Sequence, residues 1–234
     1  WYSSVPFMNY QDNLMHAQRP ASEAKHRTAK GAQRLKDLTA VAADMFLEQG
    51  FESVAIDDLI ARVGGSRRNI YSHFGGKEGL FIEVVTQLCA ELTQPLEQWH
   101  IKEQTIPEVL TSFGQQVLKA VLTPRALELH RLMVAEGKRF PALSQAVLHA
   151  GHFKAASILT QWIEAHQENF KNESKTSVPA HMFAQQFVSM LVMEAQLRAL
   201  TGFDKRPFSA AQINSIVKNT VSTFLYGALA AKGM

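Results

Sequence analysis

Two glycine pairs, Gly64-Gly65 and Gly75-Gly76, bracket the segment SRRNIYSHF, and no other feature of the chain restricts its fold as much. Paired glycines stop helices and admit left-handed turns, so the segment between them is a short helix oriented on its own. Ile70 and Phe74 share its inner face, Arg67, Arg68, Asn69 and Ser72 face outward, and Ser66 stands where an N-cap belongs. Just before it, Ile56, Leu59, Ile60 and Val63 mark a two-turn helix with Asp57 and Asp58 near its positive end. Two short helices joined by a glycine turn make a helix-turn-helix.

The remainder of the chain also reads as helix. Leu35, Leu38, Ala42, Met45 and Phe46 recur at helical spacing over residues 33–49, and Gly50 follows as a C-cap. A longer helix opens at Lys77 and carries Leu80, Phe81, Val84, Val85, Leu88 and Leu92, with Pro95 as a kink or an end. Further helices are predicted over 106–122, 125–137, 141–170, 179–201 and 209–231, with ENFKNESKTS as the most polar loop. No stretch sustains the period-two alternation of a strand, so the fold class is all-α. The organisation predicted is a leader or flexible basic arm over 1–27, a three-helix reading head over 28–76, and a larger helical domain over 77–234.

Charge locates the chemistry. The formal net charge is only +3, yet residues 62–77 hold Arg62, Arg67, Arg68 and Lys77, with His73, and no acid. A second basic stretch runs from Arg19 to Lys36 and includes Lys25, Arg27, Lys30 and Arg34. Local basic clusters of this kind are the footprint of a polyanion, and the second reads as a phosphate-contacting arm. Cys89 is the one cysteine, which excludes an intramolecular disulfide and a Cys-based zinc site and reads as a small core residue. No apolar run is long enough to span a bilayer and no signal peptide is recognisable, so the chain is expected in the cytoplasm. It opens with Trp1, and Met8 or Met15 read as candidate natural starts. His130, His149, His152 and His166 lack cysteine or carboxylate partners at ligand spacing, and no Walker loop, dinucleotide fingerprint, nucleophile elbow or zinc-hydrolase motif occurs. No metal, cofactor or enzymatic activity is expected.

FESVAIDDLIARVGGSRRNIYSHFGGKEGLF, residues 51–81, resembles the N-terminal signature of the tetracycline-repressor-like (TetR) transcriptional regulators: a short helix, a glycine turn, a serine cap, a recognition helix ending in Tyr-x-His-Phe, then Lys-Glu opening the next helix. The resemblance covers about residues 33–85, and EGKRFPAL, residues 136–143, resembles the AefR-like branch. Val54 and Ala55 stand where the family has threonine or serine, so the second helix is capped either by Ser53 or by no side chain. Gly65 replaces an apolar turn residue, usually valine, and Ile60 a small one, which puts the orientation of the recognition helix in question.

The resemblance implies a regulator that binds a DNA operator as a homodimer and responds to a small molecule. A helix N-terminus in the major groove would bring Arg67, Arg68 and Asn69 to base edges, where arginine pairs with guanine and asparagine with adenine. Ser66 would cap first and donate to phosphate second, and Ser72 shares the outward face. Tyr71 and His73 resemble the family's phosphate contacts, Lys77 adds a charge beside backbone N–H groups that already favour an anion, and Lys30 and Arg34 belong to the basic stretch read as a phosphate-contacting arm; a half-buried core ring is the competing reading for Tyr71. The small-molecule effector would meet Phe113, Val117, Met133, Phe153, Trp162, Phe187, Met190 and Met193, each of which ordinary core packing explains as well. Glu194 either meets a cationic ligand or pairs with Arg198 four residues on. The last two helices are apolar on more than one face, which suits a dimer interface. The function expected is a ligand-responsive repressor on a palindromic operator. The alternatives are an all-helical ligand-binding or interaction protein without a specific operator, and a small-molecule enzyme.

Overall fold

A computed structural model of the protein describes residues 29–98, 101, 105–166, 178–204 and 206–227, the side chains of 29–32 excepted. The basic arm of 1–27, the side chain of Lys30 and the loop ENFKNESKTS therefore lie outside the described residues. Among those that are described, every regular element is a helix: α1 (Ala29–Ser53), α2 (Ile56–Val63), α3 (Arg67–Phe74), α4 (Lys77–Glu97), α5 (Ile106–Val121), α6 (Pro124–Glu136), α7 (Pro141–Leu148), a π-helical turn (His149–Phe153), α8 (Lys154–Ala165), α9 (Ala180–Thr201) and α10 (Ala210–Tyr226). The all-α class follows.

The chain divides into two compact units, residues 1–37 and 38–234. In the first, the described residues are helical, Arg34 is exposed, and the Gln33 amide donates to the Asp37 carboxylate at 2.9 Å. The second holds two apolar cores. One gathers Phe46, Phe51, Leu59, Ile70 and Phe81 and continues through Leu88 of α4 to Leu129, Leu132 and Leu143 of α6 and α7. The other joins α5, α8, α9 and α10 around Phe113, Phe187, Trp162 and Val217. Helix α4 serves both, since its Leu96 belongs to the second core. It passes through Pro95 and ends at Glu97, so the proline does not end the helix.

The segment predicted as one helix over 141–170 is instead interrupted. Hydrogen bonds slip to the wider π pattern at HAGHF, around Gly151, which has no side chain to hold the regular register. Helix α8 then closes at Ala165, where the His166 ring stacks on Trp162 with centroids 4.6 Å apart and its Nδ1 lies 2.9 Å from the Trp162 carbonyl oxygen. That side chain competes for the terminal carbonyl and ends the helix. The final helix stops at Tyr226 rather than 231, with Gly227 at φ 74°.

Candidate nucleic-acid interface and effector cavity

Helix α2 begins at Ala55 with no side-chain cap, so Ser53 does not serve, and it ends at Gly64, whose N–H donates to the Ile60 carbonyl at 2.8 Å. Gly65 follows at φ 118° with open space around the position of a Cβ. Backbone conformation, rather than packing, is what demands glycine there: a valine would be strained whatever room it had. Ser66 then starts α3 in extended conformation, its Oγ accepting the Asn69 N–H at 3.3 Å. Ile70 is buried and Phe74 half-buried against the core, which fixes the roll of the helix. Arg67, Arg68, Asn69, Tyr71, Ser72 and His73 consequently face solvent. Tyr71 is 57% exposed, so it is not a core ring. Ser72 is partly committed, its hydroxyl donating to the Asn69 carbonyl at 3.0 Å.

Two basic groups are held in ways the spacing does not reveal. Arg67 reaches back over the turn to Asp57 of α2, donating from Nε at 2.6 Å to Oδ1 and from an Nη to Oδ2. The pair keeps the Asp57 carboxyl below its ordinary range and raises the guanidinium. Arg68, by contrast, makes no ion pair with any described residue. Lys77 folds inward: Nζ donates to the Glu52 carbonyl at 3.1 Å and sits 4.4 Å from the centroid of the Phe51 ring. Partial burial lowers its pKa, opposed by the charge of Glu136.

The head is latched to the helices behind it through EGKRF. Glu136 accepts the Phe51 N–H at 3.3 Å, and Arg139 pairs with Glu52 while lying over the rings of Phe51 and Phe140 at 4.9 and 5.2 Å. Phe140 meets Phe51 edge-on at 4.7 Å. Asp57, Glu136 and Arg139 thus have roles that sequence reasoning missed. The only signal was that Glu136 and Arg139 sit in the stretch that carries the AefR-like resemblance.

Farther along α4 lies a cavity of about 400 Å³, walled by α4, α5, α6, α7, the π-helical turn, α8 and α9. Val117 and Met193 line it; the other six predicted apolar contacts do not. Phe113, Trp162 and Phe187 are buried in the second core. Met133 packs against the first core, and Phe153 and Met190 are exposed on the surface. Glu194 does not line the cavity either: it pairs at 3.4 Å with Arg198, which Asp204 grips at 2.9 and 2.8 Å. His130 and His152 do line the cavity, and burial lowers the pKa of both. His149 packs on Phe153 with centroids 5.2 Å apart.

Comparison with known proteins agrees with this layout. Residues 38–84, from α1 through the start of α4, match the family described as bacterial regulatory proteins of the tetR family, and residues 108–227 match the AefR-like transcriptional repressor C-terminal domain. The HTH-type transcriptional regulator TtgW of Pseudomonas putida, itself uncharacterised, is 26% identical over 121 residues, 52% of this chain and 82% of that protein. QacR of Staphylococcus aureus, an HTH-type transcriptional regulator, is 35% identical over 71 residues, 30% of this chain and 36% of its own. The solved structure of the flavonoid-responsive regulator FrrA shares the fold at a TM-score of 0.68 and 22% identity, over 83% of this chain and 96% of that one. With one match on the head and another spanning more than half of the sequence behind it, the chain belongs to the TetR family of DNA-binding transcriptional regulators, in its AefR-like branch.

Proposed function

We propose that the protein is a repressor that binds a palindromic operator as a homodimer and lets go when a small molecule occupies the cavity along α4. The observation that carries this reading is the first turn of α3, capped by Ser66 and exposed, with Arg68, ion-paired to no described residue, beside Asn69. A helix N-terminus presented in this way suits the major groove, with Arg68 on guanine O6 and N7 and Asn69 on adenine. Arg67, held by Asp57, retains one Nη group for a phosphate. Tyr71, His73 and Ser72 flank it on the same exposed face.

Release follows from geometry. Two recognition helices must sit about 34–36 Å apart to enter successive major grooves, so small rotations of each head abolish binding. Helix α4 begins one residue pair after α3 and carries Cys89, Leu92, Thr93 and Leu96 into the cavity wall. A ligand that displaces those residues moves the head. The dimer would form through α9 and α10, where Met182, Met190, Met193, Leu197 and Tyr226 are exposed. Selection of bound duplexes from a random pool tests the reading: a two-fold symmetric site is expected, and recovery of no preferred sequence overturns it.

A further inference from the structure

The cavity along α4 has a one-sided chemistry. Among the described residues no lysine, arginine, aspartate or glutamate lines it. Several charged groups that neighbour lining positions along the chain are engaged elsewhere: Lys154 pairs with Glu97 at 2.9 Å, Arg131 donates to the Ala199 and Leu200 carbonyls at 3.2 and 3.3 Å, and Glu194 and Arg198 pair with each other. The polar lining is sparse. Thr93 spends its hydroxyl proton on the Cys89 carbonyl at 2.9 Å and lies 3.1 Å from that of Ala90, leaving only an acceptor. His130, His152, Ser189 and Gln196 line the cavity and hydrogen-bond to no described residue. The π-helical turn contributes to this arrangement. It supplies three consecutive lining residues, Ala150, Gly151 and His152.

We propose that the ligand of this cavity is an uncharged, mostly apolar, drug-sized molecule, oriented by hydrogen bonds to His130, His152 and Gln196, and that organic cations and anions are excluded. The inference rests on the effector reading above and names its ligand class. An apolar wall rewards burial of rings or alkyl groups in proportion to the area removed from water. A net charge would lose its hydration with no counter-charge to replace it. Burial keeps both imidazoles below the ordinary histidine range, so near neutrality each offers one donor and one acceptor and no charge. These polar side chains, with Ser189 beside them, therefore select hydroxyl, carbonyl or amide groups on a neutral frame. The carboxylate that would have welcomed a cation, Glu194, lies outside the cavity.

The test uses the full chain without DNA and three fluorescent probes on one ring system: neutral phenyl-naphthylamine, anilinonaphthalene sulfonate, and a quaternary ammonium derivative. The neutral probe is expected to saturate, with each charged congener at least tenfold weaker. Filling the cavity with Val192→Trp, or with Ala155→Trp should the first variant fold poorly, is expected to abolish that binding. The near-isosteric Gln196→Glu is expected to tighten the ammonium derivative tenfold or more while weakening the neutral probe. Equal affinity for a charged congener, or neutral binding that survives both filled variants, overturns the proposal. Displacement of operator DNA by the neutral probe is read separately. Selective binding without displacement upholds the ligand class and overturns the effector reading, whereas displacement by a charged congener does the reverse.

Discussion

The Asp57–Arg67 pair divides work between two adjacent arginines. Arg67 has two donor positions bound to a carboxylate on the preceding helix, and both side chains are exposed, so the pair acts by orientation more than by stability. Arg68, ion-paired to no described residue, is the one we propose reads bases. Arg68→Ala is expected to cost about 1–3 kcal/mol at a single base position and to relax preference there, seen by binding to single-substitution operators. An unchanged preference would mean that α3 docks otherwise. Asp57→Asn frees the Arg67 guanidinium and removes an anion from the interface. Non-specific affinity should rise and the salt slope steepen by about one phosphate, measurable in a salt titration against random duplex. Lys77 differs from an ordinary surface phosphate contact because it already donates to Glu52 and covers Phe51. Lys77→Ala should destabilise the fold by about 1 kcal/mol, observed as a lower denaturant midpoint.

At the scale of elements, the joints carry more than the helices. A Cβ at Gly79, in the first turn of α4, would overlap the Phe74 carbonyl oxygen at the end of α3. Gly79→Ala is therefore expected to force the two helices apart at a cost of about 1–3 kcal/mol or more, with operator binding lost before global unfolding. The latch of Glu136, Arg139 and Phe140 on Phe51 and Glu52 ties the far end of α6 to the head, while Leu129 and His130 of the same helix line the cavity. Arg139→Ala should leave ligand affinity intact and weaken ligand-driven release of DNA, a split read by titrating ligand with and without operator. The buried histidines give a pH dependence with a definite sign. Both folded pKa values lie below the ordinary histidine range, so on acidification the unfolded chain takes up protons first, and stability falls as pH drops through that range. It levels off once the folded-state values are passed. Thermal midpoints should decline from neutral to mildly acidic pH, and His152→Leu should flatten the decline.

Across the whole molecule, α9 is the element with two allegiances. Phe183, Phe187 and Leu191 enter the second core, while Met182, Met190, Met193 and Leu197 remain exposed. The double variant Met182→Glu, Met190→Glu is expected to shift light scattering from dimer to monomer at micromolar concentration and to remove operator binding with it. A wild-type chain that scatters as a monomer would sink the interface placed there. Met193 and Leu197 also line the cavity, so the proposed ligand site and the proposed dimer interface share residues on one helix.

How much of this was legible in the sequence depended on the range of each interaction. Local rules located α2 and α3, the Ser66 cap and the inward face of Ile70 and Phe74, because caps, glycine stops and helical periodicity act within a few residues. The same rules missed the π-helical turn at HAGHF within 141–170, since a slip in hydrogen-bond register confined to one turn has no marker in the sequence. They identified aromatic residues as apolar, but could not separate Phe113 and Phe187 in the core from Val117 beside the cavity, a distinction made by which helix packs across from each. The Asp57 grip on Arg67, the inward fold of Lys77 and the hold of Glu136 on Phe51 join residues 10 to 85 positions apart. Sequence alone determined the all-α class, the helix-turn-helix motif and the family. Tertiary packing decided which of Arg67 and Arg68 is held by a carboxylate and where the cavity opens, because both depend on contacts between groups the chain brings together only when it folds.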